Sequence, residues 1–138
     1  MKTIRTVLIT SLIAFSATSF SQASLTVKNK SDRYLTVKVM KGNERKAVHY
    51  KTDSIVPKGT KVIYFTESGF YYTKNQAILF SKEDPKMNDT LYSKDRPFQV
   101  VSDSRRGYSN ITMEFKVKET KKHDLDNAVP ITRKEYDN

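Results

Sequence analysis

The residues best suited to chemistry are tyrosines and basic side chains, and the chemistry they suit is recognition. Lys61, Tyr64, Tyr71, Tyr72 and Lys74 flank Gly69 within one short stretch, with Phe65 and Phe70 among them. An exposed tyrosine beside an ammonium group can stack on a sugar ring or anchor a protein interface. In an extended chain Tyr71 faces away from Phe70 and Tyr72, so one set is exposed unless both faces are covered. The competing reading is cross-strand packing among the rings themselves. A second focus is Arg105-Arg106-Gly107-Tyr108. There two guanidinium groups at a loop could meet an acidic group, or simply be solvated.

Catalytic chemistry finds little support. The chain has no cysteine for a thiolate and two histidines, His49 and His123. Neither lies in a nucleophile elbow or a metalloprotease helix, so no catalytic residue and no cofactor are assigned. Glu83, Asp84, Asn88 and Asp89 gather oxygen ligands in one polar loop. Their spacing matches no EF-hand, and Lys82 and Lys86 oppose a cation, so no metal site is assigned. The triplets at Asn29, Asn88 and Asn110 match the glycan acceptor pattern and are read as chance.

Charge is the strongest compositional signal. The 138 residues carry 25 Lys/Arg against 15 Asp/Glu, a net charge of +10. Residues 24–118 hold nineteen of the basic and ten of the acidic groups, a net +9. A surface of that sign suits anionic partners such as lipopolysaccharide, acidic glycan or anionic lipid. Nucleic acid is disfavoured, because no binding motif is present and the chain reads as exported.

Those residues must be positioned by strands. Ser109–Lys118 is the most regular stretch: Ile111, Met113, Phe115 and Val117 alternate with Thr112, Glu114, Lys116 and Lys118. This is the period of a strand with one face in a core and one in water. Shorter strands are expected at 24–29, 34–40, 46–51, 60–66, 90–93 and 98–102, with a long one at 70–80 broken near 74–76. Turn chemistry separates them at Asn29–Asp32, Gly42-Asn43, Pro57–Gly59 and Ser68-Gly69. Pro97 cannot donate to a central ladder and marks an edge or a bend. Seven or eight short strands of this kind predict an all-β fold, a single antiparallel β-sandwich, with a small β-barrel as the runner-up.

The two ends differ from the body. Residues 1–23 read as a cleaved signal peptide. Lys2 and Arg5 precede a short apolar run, and Ser21-Gln22-Ala23 offers small residues for a cut before Ser24. That run is too short to span a membrane, and no second one follows. The leader reads as bacterial, so the mature chain is expected in the periplasm or outside the cell. Residues 119–138 scatter Leu125, Val129, Ile131 and Tyr136 among charges and predict a disordered or loosely attached tail.

The run from Leu25 to Ser31 and the turn Val56–Thr60 resemble pieces of extracellular immunoglobulin-like sandwiches. The resemblance implies the same kind of fold and carries no functional residue. The functional expectation is an exported, non-catalytic binding module for anionic or glycan surface ligands or an envelope protein. Tyr64, Tyr71, Tyr72, Tyr108, Lys61, Lys74, Arg105 and Arg106 are its candidate contacts. The alternatives are an accessory subunit of an envelope assembly, joined by an edge strand, and a small hydrolase assembled from distant residues.

Overall fold

The computed structural model describes residues 22–43, 45–118 and 128–138, with the backbone alone at 124–125. Thirteen strands are described: β1 (Ala23–Asn29), β2 (Tyr34–Gly42), β3 (Ala47–Ile55), β4 (Thr60–Phe65), β5 (Gly69–Leu79), β6 (Asp89–Lys94), β7 (Phe98–Val100), β8 (Ser102–Asp103), β9 (Gly107–Tyr108), β10 (Asn110–Phe115), β11 (Val117–Lys118), β12 (Asp124–Leu125) and β13 (Val129–Pro130). A short helix, α1 (Arg133–Asp137), closes the series.

Two sheets face each other. The smaller has the order β10-β1-β4, and the larger has the order β13-β6-β5-β2-β3, with β7 also pairing β5. Strand alternation explains the packing. Leu25 and Val27 of β1 and Ile63 and Phe65 of β4 point inward from one sheet. Leu35, Val37 and Val39 of β2 and Tyr71 and Ala77 of β5 meet them from the other, in one apolar core. The expected sandwich is therefore observed. The sheets keep separate edges and do not close, so the barrel is set aside.

Among the described residues every ladder is antiparallel except one. β10 runs parallel to β1, in a register that pairs Ser24 with Asn110 and Asn29 with Phe115. Chain order and alternation cannot show this, since either direction satisfies the same pattern.

Buried polar groups fix the turns. Asn29 is 1% exposed. Its amide donates to the carbonyls of Arg33, Ile55 and Val56, and its Oδ1 accepts from the Ser31 N–H and hydroxyl. One side chain thus ties the β1–β2 turn to the end of β3. Arg33 is fully buried and donates to the Ala77 and Asp89 carbonyls and to the Asp89 carboxylate at 2.6 Å. At the β2–β3 hairpin Gly42 has φ 121°, and a Cβ there would collide with the Lys46 carbonyl oxygen.

Three expectations are corrected. The break near residues 74–76 is absent: β5 is continuous because its polar residues are taken up by neighbouring strands. The loop expected at 103–108 is a tight two-stranded ribbon, β8 with β9. Of the expected tail, residues 128–138 pack on the larger sheet. β13 pairs β6 there, and Tyr136 is 8% exposed. A lone aromatic gives no periodic signal, so its docking was invisible in the pattern. Residues 119–123 and 126–127 lie outside the described residues, as do residues 1–21 of the expected leader. Its last residue, Ala23, is fully buried in β1 opposite Phe65.

Candidate functional site

The structure scatters the tyrosines and basic residues named from sequence. Tyr71 is fully buried, and its hydroxyl donates to the Glu67 carbonyl at 2.7 Å. Its ring contacts Tyr50, Phe65 and Phe98, with centroids 4.6–6.4 Å apart. Burial raises its phenol pKa above the ordinary value. Tyr71 therefore belongs to the core and is corrected as a stacking contact. Tyr72, on the opposite face, is 5% exposed and also unavailable as a surface ring. Lys74 is 8% exposed and donates to the Glu135 carbonyl at 2.8 Å. The outer face of β5 is covered over Tyr72 and Lys74, while Phe70, near its start, stays 58% exposed.

Tyr64 lies on the outer side of β4 and is 49% exposed, whereas Lys61 shares the face of Ile63 and Phe65 and pairs with Asp53 of β3 at 3.0 Å. Arg105, Arg106 and Tyr108 are exposed at the β8–β9 ribbon. Asp103 organises that tip: it accepts from the Arg105 N–H at 2.8 Å and from Arg106 Nε at 3.1 Å. Those two bonds, in that order, lower its pKa. The guanidinium of Arg106 is thus already engaged.

The other candidates have local roles. His49 is exposed on β3, with Nε2 2.6 Å from the Thr52 hydroxyl. In the acidic loop Asp84 caps a 3-10 turn at Pro85–Met87, Asn88 accepts from the Ser81 N–H, and Asp89 pairs with Arg33. Among the described residues no three of His, Cys, Asp and Glu gather closely enough to hold a metal ion. None of their helices is long and apolar enough to cross a membrane.

A different place stands out, one that no cluster of chemistry-bearing residues in the sequence marks. β6 and β7 lie end to end along the same edge of β5, with Asp95–Pro97 between them. Opposite that junction, beside β10, a groove of about 390 Å³ is lined by Leu25, Phe98, Ile111 and Met113, with Asp95 and Arg96 at its rim. Ile111 and Met113 are only half-buried although they carry the most regular apolar pattern in the chain. The reason is position: among the described residues β10 is an edge strand with a neighbour on one side.

Its ladder shows which groups are open. The Ser24 N–H donates to the Ser109 carbonyl and the Lys30 N–H to the Phe115 carbonyl, both at 2.8 Å. In a parallel ladder this alternation turns odd-numbered backbone groups of β10 toward β1. The N–H and C=O groups of Asn110, Thr112 and Glu114 then point outward, along the groove.

Behind Asp95 the interior is polar. Asp95 Oδ2 accepts from the Thr73 hydroxyl at 2.6 Å and from Asn75 Nδ2 at 2.9 Å. The Thr73 hydroxyl also lies 3.6 Å from Met113 Sδ, which links this cluster to β10. Asn75 is 1% exposed, and its Oδ1 has no hydrogen-bond partner among the described residues. A buried acceptor of that kind costs about 1–3 kcal/mol.

Among the described residues the fold and these sites define an all-β sandwich whose edge strand β10 lies beside an apolar groove. Compared with known proteins, the chain matches no protein-family model and no curated protein.

Proposed function

We propose that this domain is an exported, non-catalytic interaction module that takes up an extended segment of an envelope protein along β10. The observation that carries the reading is the outer edge of β10, unpaired among the described residues, beside a groove lined by Leu25, Phe98, Ile111 and Met113. An added strand gains main-chain hydrogen bonds from the edge and inserts alternate side chains into the groove. An exposed edge is a liability that folds usually blunt, and here Glu114 and Lys116 pair with each other at 3.3 Å. A charged rim of this sort keeps the edge soluble until a partner arrives.

The test uses two prolines that differ in where their missing N–H would point. Thr112→Pro removes a donor from the open edge and leaves the β1 ladder intact. The expected result is a folded domain that no longer retains its partner in a pull-down from envelope extract. Met113→Pro removes a donor to β1 and is expected to unfold the smaller sheet. Partner retention by a folded Thr112→Pro domain ends the reading.

A second class of partner, anionic glycan or lipopolysaccharide, is supported by the basic excess in residues 24–118 and by a row of lysines on the outer face of the larger sheet.

A further inference from the structure

Lys38 of β2 stands directly opposite Lys74 of β5, and Lys74 directly opposite Lys94 of β6. Three ammonium side chains therefore leave one face of the sheet in a single row. With strands about 4.8 Å apart, the row spans about 10 Å. Like charges directly opposite on a sheet are destabilising. Sheet formation does not call for such a row, since threonines at the same positions would pair as well.

The row is roofed. Residues 132–138 lie over it, with Lys38 Nζ donating to the Tyr136 carbonyl and Lys74 Nζ to the Glu135 carbonyl, both at 2.8 Å. Lys38 also lies over the Tyr136 ring, 4.8 Å from its centroid. These partners are carbonyl dipoles at the end of a helix, which carry partial charge rather than a full negative charge. Between roof and sheet is a cavity of about 260 Å³, bounded by Tyr72, Lys74, Lys94, Glu135 and Asn138. Lys74 is more than nine-tenths buried at its wall. Burial first, then repulsion from Lys38, lowers the Lys74 pKa; Glu135 opposes the shift and Lys94 adds to it. The Glu135 carboxylate lies 3.4 Å from the Thr132 hydroxyl at the helix start.

We propose that Lys74 and Lys94, at the wall of this cavity under residues 132–138, form a binding site for a phosphate monoester group, with the charge of Lys38 beside them on β2. A compact dianion with several acceptor oxygens can bridge ammonium groups in a row and relieve their repulsion, and such charge-assisted bonds are the strong kind. The site rests on the reading of the domain as a module for anionic partners and is independent of strand capture on β10. The group could be presented free, on a soluble ester, or on a lipid headgroup.

The experiment titrates the full chain with inorganic phosphate, with chloride balancing the ionic strength, and follows backbone amides by NMR. Saturable shifts are expected at residues 72–76, 92–96 and 132–138. Lys94→Gln and Lys74→Met are each expected to weaken binding about tenfold, the loss of about one charge-assisted hydrogen bond. Glu135→Gln is expected to tighten it a few-fold, and Thr112→Pro to leave it unchanged. In a vesicle arm, co-sedimentation with phosphatidate but not phosphatidylcholine, competed by phosphate, assigns the group to a lipid. Saturable phosphate binding without co-sedimentation assigns it to a soluble ester. Amide shifts no larger than those given by chloride, or shifts unchanged in both lysine variants, overturn the proposal.

Discussion

Lys74 shows how far one residue's environment departs from its type. It is a lysine on a sheet face, yet a helix covers it, and Lys38 and Lys94 stand on either side. Its pKa is lowered from 10.5, so the folded state releases this proton at lower pH than the unfolded chain does. Between the lowered value and 10.5 the unfolded state binds more protons, and stability due to this group rises with pH. Below the lowered value the cost of holding the charge is fully present. We expect the stability of wild type minus that of Lys74→Met, from urea unfolding at successive pH values, to be flat near neutrality and to climb toward pH 10.5. A difference that stays constant would refute the account. Tyr71 and Tyr136, whose pKa values burial raises, titrate in the same range and oppose the trend, but they are common to both proteins and cancel. Alternation did place Tyr71 and Tyr72 on opposite faces from sequence. What covers the second face comes from residues about sixty positions away, and no local pattern carries that information.

At the scale of elements, the strands were legible where alternation was strict. β1 and β2 fall within two residues of their expected bounds because Leu25, Val27, Leu35, Val37 and Val39 repeat with period two, whereas the strand expected at 109–118 is divided at Lys116 into β10 and β11. The groove could not be read, because regularity in β10 marks a face that suits burial and not a face that is fully covered. The last helix was illegible for a different reason. α1 has five residues and holds its place through one ring, Tyr136, tilted against Tyr92 at 5.3 Å, and through the two lysine contacts. So short a helix is not stable by propensity. We expect Tyr136→Ala to cost about 2 kcal/mol, below a full core aromatic because one side of the ring meets the sheet. Hydrogen exchange should show residues 128–138 losing protection while β1 and β2 keep theirs; protection lost equally everywhere would contradict this.

For the molecule as a whole, the two sheets differ in size, three strands against six, and the smaller depends on both ends of the described sandwich. β1 obtains one neighbour from β4 and the other from β10. A chain truncated after Tyr108 loses β10 and leaves Leu25 and Val27 with one flank bare. We expect it to lack near-ultraviolet dichroism and a cooperative thermal transition; a sharp transition would show that the parallel strand is dispensable. Without cysteine, no crosslink can substitute for that strand.

The Ser24 hydroxyl donates to the Asn110 side chain at 2.9 Å across 86 positions of sequence. Contacts of such long range are slow to form. A polypeptide threaded head-first through a narrow channel would present β1 early and then wait for nearly everything else to emerge before that strand found its parallel companion. If the chain is exported as proposed, such a delay would keep it pliable during passage and let the sandwich lock once β10 arrives.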